Sequence, residues 1–390
     1  MRQYDAVDDD IQPFSIDVPQ SVLDDLHARL THARFPEQID GAGWDYGTEL
    51  DYLRELCRYW RDDYDWRAAE AELNRFPQHT TTIDGQRIHF IHARSPEPDA
   101  LPLVVTHGWP GSVAEFTKII GPLRDPAAHG GDRATAFHVI CPSLPGYGFS
   151  GPTHERGWDT RRIASAFAEL MARLGYDRYG AQGGDWGAMV STQLALVDPS
   201  HVCGIHVNLV IAGPPEGDDL SQLTESQLTA LGDVDRYLKE GSGYAQIQGT
   251  RPQTIGYSLD DSPVGLAAWI VEKFRAWSDC DGDVERSFTK DELLTNLMLY
   301  WATATAHSAG RLYYETMKAG RFGLGADPRV EVPTGCAIFP REIARPPRSW
   351  AETRYNVTHW TEMSAGGHFA ALEEPELLVD DVRAFFRSLR

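Results

Sequence analysis

Apolar positions change their period along the chain, and each change predicts a different kind of element. Over residues 11–78 they recur every three to four positions: Leu50, Leu53, Leu56 and the Tyr59/Trp60 pair form one stripe in TELDYLRELCRYWRDDYDW, and SVLDDLHARLTHARF repeats the pattern upstream. That spacing places apolar side chains on one helix face, so the segment reads as a helical extension packed on the rest of the protein. At His79 the period drops to two. HTTTIDGQRIHFIHARS alternates around Asp84-Gly85, a pair suited to a tight hairpin turn. Short apolar runs and helical ones then alternate: LPLVVTHGWPG, AFHVICPSLPGYGFS, TRRIASAFAELMARLGY, DRYGAQGGDWG running into AMVSTQLALVD, and VCGIHVNLV. Apolar strands separated by helices predict a parallel sheet covered on both faces.

The alternation stops near Ala212. From there to about Gly325 the pattern is helical, acidic and aromatic, as in VGLAAWIVEKFRAWSD and KDELLTNLMLYWATATAHSAGRLYYETM. Strand and helix return with VPTGCAIFP, YNVTHWTEMSAGGHF and ELLVDDVRAFFRSL. The expected organisation is a helical extension (1–78), the first part of an α/β core (79–211), a helical insertion (212–325) and the second part of the core (326–390). An insertion between strands of a doubly wound sheet lies over their carboxyl ends, where such folds bind ligands. It reads as a lid.

Charge narrows the partners. The 390 residues carry 57 Asp+Glu against 36 Lys+Arg, a formal net charge of −21. Such a surface repels nucleic acid and anionic membrane. The five cysteines (Cys57, Cys141, Cys203, Cys280, Cys336) are odd in number and scattered, without the spacing of a disulfide framework or a zinc site. No cofactor or metal motif is present, so neither is expected. The acidic start MRQYDAVDDDIQPF lacks an apolar signal core, and no run approaches the ~18 apolar residues of a membrane span. A cytoplasmic protein is expected, with a homodimer allowed but not required.

Three motifs carry chemistry. AQGGDWG (181–187) has the form of a sharp strand-to-helix turn that displays a nucleophile, usually G-x-S-x-G, with Asp185 where serine stands. Aspartate also caps helices well, but Gly183, Gly184 and Gly187 are what a strained, tightly packed turn requires. HGWPGS (107–112) follows a strand and is expected to supply the Trp109 amide of an oxyanion hole, the Trp186 amide being its partner. In SAGGHF, His368 stands between a strand and a helix, as a triad base should, and the acid is expected on the preceding loop, AIFPREIARPP, at Glu342. Asp327 lies before that strand, on its wrong side. The order nucleophile, acid, base is that of the α/β-hydrolase fold, which is the fold expected here.

An aspartate nucleophile has a chemical reason. Serine suits attack on a carbonyl, but its attack on a saturated carbon would leave an ether that water does not easily cleave. A carboxylate leaves an ester whose carbonyl belongs to the protein, and water activated by His368 and Glu342 can hydrolyse it. Asp185 thus points to substitution at an sp³ carbon, either epoxide opening or halide displacement. An epoxide oxygen needs a proton donor, and the lid offers Tyr237, Tyr244, Tyr257, Tyr300, Tyr313 and Tyr314, among which composition does not choose.

The chain resembles the microsomal-type epoxide hydrolases of the α/β-hydrolase superfamily over nearly its whole length, through WDYG, DYDWR, HGWPGS, PSLPGYGFS, AQGGDWG, GYAQIQGTRPQTIGYSLDDSPVGLAAWIVEKF, DELLTNLMLYWAT, VPTGCAIFPRE and GGHFAALEEPELL. The resemblance implies Asp185 as nucleophile, Glu342 as acid, His368 as base, and Tyr244 and Tyr313 as the lid phenols. It implies an epoxide as substrate and a vicinal diol as product; the preference for a small hydrophobic or aryl epoxide is read from the aromatic lid and is not carried over from the family. Two departures stand out. The membrane anchor with which microsomal relatives begin has no counterpart here, and the lid-opening segment NLVIAGPPEGDDLSQL is short and acidic. A haloalkane dehalogenase and a non-catalytic binding module on the same scaffold are the rival readings. Lid aromatics Trp269, Phe274, Trp277, Tyr300 and Trp301 are candidates either for a wall around a bulky substrate or for core.

Overall fold

The computed structural model describes residues 11–323 and 327–390; the acidic stretch 1–10 and the boundary expected at 325/326 lie outside these. Asp84 and Gly85 both take positive φ, 52° and 73°, the conformation that lets a two-residue turn match the strand twist. They join β2 (Gln78–Ile83) to β3 (Gln86–Ala93) in antiparallel register. A short strand β1 (Gln12–Phe14) pairs with β2, so the extension is not wholly helical. Three residues are too few to show a period of two. What fixes them is tertiary: the Phe14 ring lies 5.1 Å from His89 and 5.2 Å from Phe149.

The remaining strands are β4 (Leu101–Thr106), β5 (Phe137–Pro142), β6 (Tyr179–Gly183), β7 (Val202–Val207), β8 (Val330–Ile338) and β9 (Tyr355–Glu362). They complete a nine-stranded sheet in the order β1-β2-β3-β5-β4-β6-β7-β8-β9. β3 meets β5 antiparallel, and every pairing from β5 to β9 is parallel. Each residue of β5 and of β6 is buried, as expected of strands covered on both faces.

Between β7 and β8, the described residues form α-helices at Glu225–Arg236, Gly243–Thr250, Pro252–Asp261, Pro263–Trp277, Lys290–Trp301 and Ala306–Lys318. Capping boxes at Thr224/Gln227 and Thr289/Glu292 start two of them, satisfying amides that have no intrahelical acceptor. The extension's stripe is seated as its spacing predicts: helix Leu50–Asp62 buries Leu53, Leu56, Cys57 and Trp60. This extension also grips the lid. Thr48 Oγ1 donates to the Ala268 carbonyl at 2.7 Å, Tyr59 Oη to Asp291 at 2.9 Å, and Tyr64 Oη lies 2.9 Å from Thr295 Oγ1. Among the described residues no helix is long and apolar enough to cross a membrane.

Candidate active site

β6 ends at Gly183 and the helix Asp185–Val197 begins two residues later, leaving no slack in the turn. Asp185 adopts φ 49°, a left-handed conformation that costs a non-glycine residue energy and is typical of functional turns. Its neighbours leave no space for side chains. A Cβ on Gly187 would fall 1.8 Å from the Thr106 carbonyl oxygen, and one on Gly183 would fall 2.2 Å from the Gly187 carbonyl carbon. The carboxylate so displayed accepts a hydrogen bond from the Trp109 amide at Oδ1, 2.8 Å away. Its Oδ2 lies 3.3 Å from His368 Nε2.

The HGWPGS turn is held from both sides. His107 accepts the Leu144 amide at Nε2 (3.1 Å) and so donates Nδ1–H to the Gly108 carbonyl (2.9 Å). Burial lowers its pKa to about 4, which keeps the ring neutral in that role. From the lid, Tyr300 donates to the Gly111 carbonyl at 2.6 Å and Asn296 to the Pro110 carbonyl at 2.8 Å, while Ser112 donates to Asn296 at 2.7 Å. Trp186 follows Asp185 in the first helical turn, where amides have no intrahelical acceptor, and its ring meets Tyr313 edge-on at 4.6 Å.

His368 donates Nδ1–H to Glu342 Oε1 at 2.7 Å, and both residues are buried. The same Glu342 oxygen accepts the Ile343 amide at 2.6 Å. Burial alone would lower the pKa of His368. Glu342 and Asp185, one on each ring nitrogen, overturn this and raise it well above 6.5. The His368 amide is anchored on the Trp277 carbonyl at 2.9 Å, a lid contact that no motif announced. Asp327 is engaged elsewhere, accepting from Gln193 at 2.6 Å.

The lid tyrosines separate by their partners. Tyr244 stacks on Trp109 (centroids 4.7 Å apart) and meets Tyr313 edge-on at 5.8 Å. Both phenols are buried, and burial raises their pKa values well above 10, so both keep their protons. Tyr237, which composition did not distinguish, hydrogen-bonds Tyr244 Oη at 2.8 Å. Tyr300 is committed to Gly111, Tyr257 is exposed, and Tyr314 lies under Lys318 at 5.5 Å. A cavity of about 600 Å³ is lined by Asp185, Tyr237, Tyr244 and Tyr313 together with apolar residues such as Leu209 and Leu231. Of the five lid aromatics read as wall or core, Phe274, Trp277, Tyr300 and Trp301 are buried. Phe274 and Trp277 pack around the His368 loop, at 4.0 Å from Phe369 and 5.0 Å from His368. Trp269 is half-buried against Gln248.

Comparison with known proteins bears on this arrangement. Residues 11–116 match the family described as epoxide hydrolase N terminus, and residues 102–239 match the alpha/beta hydrolase fold. Epoxide hydrolase 1 of Sus scrofa is 41% identical, over 98% of this chain and 90% of its own. The chain belongs to the epoxide hydrolase family. Two solved members superpose closely: the juvenile hormone epoxide hydrolase of Bombyx mori (TM-score 0.89, 32% identity, 98% of this chain and 95% of that one) and the Aspergillus niger epoxide hydrolase (TM-score 0.87, 33% identity, 98% and 97%). The epoxide hydrolase N terminus covers the extension with β1 to β4, and the α/β-hydrolase fold accounts for the sheet.

Proposed function

We propose that this chain converts an apolar epoxide and water into a vicinal diol through an ester on Asp185. The observation that carries the reading is the placing of one carboxylate between two functions. Asp185 Oδ1 is held by the Trp109 amide and Oδ2 faces His368, while two protonated phenols line the same apolar cavity. Asp185 Oδ2 attacks an epoxide carbon, the ring C–O bond breaks, and Tyr244 or Tyr313 gives the oxygen its proton. Alkylation removes one of the two negative charges that hold the imidazolium proton, so His368 becomes less basic; the proton it gives up replaces the one lost by the tyrosine, leaving a neutral phenol and a neutral imidazole. It then takes a proton from water as the water oxygen bonds to the Asp185 carbonyl carbon. Oδ1 becomes the oxyanion, stabilised by the Trp109 amide and, in this proposal, by that of Trp186. Collapse breaks the acyl C–O bond, the imidazolium gives the departing alkoxide its proton to release the diol, and the new Asp185 carboxyl returns a proton to His368, while Glu342 orients and steadies the charged ring.

The apolar walls of a cavity of this size favour a bulky hydrophobic substrate. The same reading takes residues 1–78 as extension, 212–325 as lid and 79–211 with 326–390 as core, in an enzyme of the cytoplasm. The test is trapping. His368→Gln should still be alkylated by an epoxide such as styrene oxide but should not turn over. Intact-protein mass should rise by one substrate, and peptide mapping should place the adduct on Asp185; Glu342→Gln should trap more weakly. Halide release from chloroalkanes without epoxide turnover would replace this reading with dehalogenation. An adduct-free His368→Gln enzyme would remove the ester.

A further inference from the structure

A second, much smaller cavity lies against the same carboxylate. Its volume is about 20 Å³, enough for one water, which needs roughly 10–15 Å³. Asp185 is the residue it shares with the large apolar cavity, so the carboxylate stands between an apolar chamber and a more polar one. Beside Asp185 this smaller, more polar chamber is lined by His368, Glu115, Thr106, Gln182 and Asn208, with Phe116, Phe369 and Leu378 completing its wall. Thr106 Oγ1 and Gln182 Oε1 are buried oxygens without a protein partner. Buried polar atoms are seldom left so, and water is the usual partner in a polar space of this size.

Glu115 is the second carboxyl in this chamber, and the reaction above assigns it no part. It follows the HGWPGS turn in the short helix Val113–Phe116 and folds back over it, so that a Cβ on Gly111 would fall 1.5 Å from its Oε1. We propose that the polar chamber seats the hydrolytic water and that Glu115 is its positioning residue, holding it between the Asp185 carbonyl carbon and His368 Nε2. The inference rests on the ester reading. In the step itself the water gives one proton to His368 and its oxygen to the ester carbon. Glu115 exchanges no net proton, and its hydrogen bond fixes the water's direction of approach.

The charge state of Glu115 suits the role. Burial pushes its pKa up to about 8, Asp185 adding to the rise and His368 opposing it. Below that pH the carboxyl is neutral and does not repel the Asp185 carboxylate that must first attack the epoxide. Above it, a second negative charge forms beside the nucleophile.

Single-turnover kinetics of Glu115→Gln resolve the two half-reactions. Alkylation should stay within about threefold of wild type, whereas ester hydrolysis should fall about tenfold or more, the scale of a lost positioning contact. Ester-loaded enzyme should then accumulate at steady state, with kcat and KM falling together. In the wild type, alkylation should change as pH rises through about 8, where Glu115 gains its charge beside the nucleophile, and that change should be absent in Glu115→Gln. Thr106→Val, which removes one of the unpartnered oxygens at nearly constant volume, should shift the same step in the same direction by less. Wild-type hydrolysis and pH profile in Glu115→Gln would overturn the proposal, and so would equal loss of both steps, which marks a merely structural residue. The ester reading fails separately, on the absence of an adduct in His368→Gln.

Discussion

Gly187→Ala is the sharpest test of how the elbow works. The added Cβ would meet backbone, the Thr106 carbonyl oxygen at 1.8 Å and its carbon at 2.6 Å, and no flexible side chain can move aside. Real Cβ contacts begin near 3.0 Å, so β4 and the elbow must separate by about 1.2 Å or the helix must shift as far. Thr106 leads directly into the turn that carries Trp109, and Gly187 lies two residues past Asp185. The same displacement would therefore stretch the 2.8 Å Trp109–Asp185 hydrogen bond to about 4 Å, beyond any useful interaction. Loss of one oxyanion donor slows catalysis by roughly 10²–10³-fold, and overpacking costs about 1–3 kcal/mol of stability. Gly232→Ala is the control: it sits inside helix Glu225–Arg236 with nothing within 4 Å of a Cβ, and alanine there should stabilise by about 0.5–1 kcal/mol. Urea melts and rapid-quench rates of ester hydrolysis measure both variants. A Gly187→Ala enzyme with wild-type stability and ester-hydrolysis rate would refute the argument, because it would show that the strand and elbow need not touch.

Tyr244→Phe and Tyr313→Phe should each slow ring opening by roughly 10²-fold with little change in melting temperature, whereas Tyr300→Phe, which strips the Gly111 carbonyl of its donor, should chiefly cost about 1–3 kcal/mol of stability. Stopped-flow alkylation and thermal melts distinguish these outcomes, and a larger kinetic loss in Tyr300→Phe would break the assignment of the pair. Asn296→Ala leaves the Pro110 carbonyl without a donor and the Ser112 hydroxyl proton without an acceptor; it should destabilise by about 1–3 kcal/mol and lower turnover, read by urea titration and initial rates. Asp381 accepts from His206 (2.9 Å), His359 (2.7 Å) and Thr361 (2.6 Å). Burial would raise its pKa, but His206 and these partners hold it well below the usual carboxylate range. A depressed carboxylate stabilises at neutral pH and loses that contribution progressively as pH falls below about 5. Asp381→Ala should cost about 3 kcal/mol near pH 7, and stability curves of the two proteins that stayed parallel down to pH 3 would contradict this.

Much of the fold was legible because its elements are long enough to repeat a period. The stripe of helix Leu50–Asp62, the Asp84-Gly85 hairpin and the buried runs of β4 to β7 each announce themselves locally. β1 does not, since its three residues depend on what Phe14 meets across the sheet. Asp185, Trp109 and His368 could be named because glycine-rich turns carry them, and Glu342 because it is the carboxylate on the loop that follows β8; the structure brings the four together. The tyrosines are different. Six lie in similar surroundings along the chain, so resemblance alone picked out two of them; folding supplies the physical difference, with Tyr300 bound to a backbone carbonyl, Tyr244 stacked on Trp109 and Tyr313 edge-on to it. Tyr237, Glu115 and the Trp277 carbonyl escaped for a related reason. Their importance comes from contacts across many residues, and nothing beside them in the sequence records those contacts.

The grip of the N-terminal extension on the helices between β7 and β8 makes positions in the wrap mechanically adjacent to His368. Helix Pro263–Trp277 is tethered by Thr48 at its Ala268 carbonyl and by the Trp44 ring, which lies 4.5 Å from the Arg275 guanidinium. Its last residue then hands a backbone carbonyl to the His368 amide. One rigid rod thus runs from the outer wrapping to the imidazole. Histidine orientation is in this sense outsourced to a segment that touches no substrate. On the proposed mechanism, drift or laboratory selection in the wrap would retune the water-dependent half of the cycle while Asp185 and its turn stay untouched.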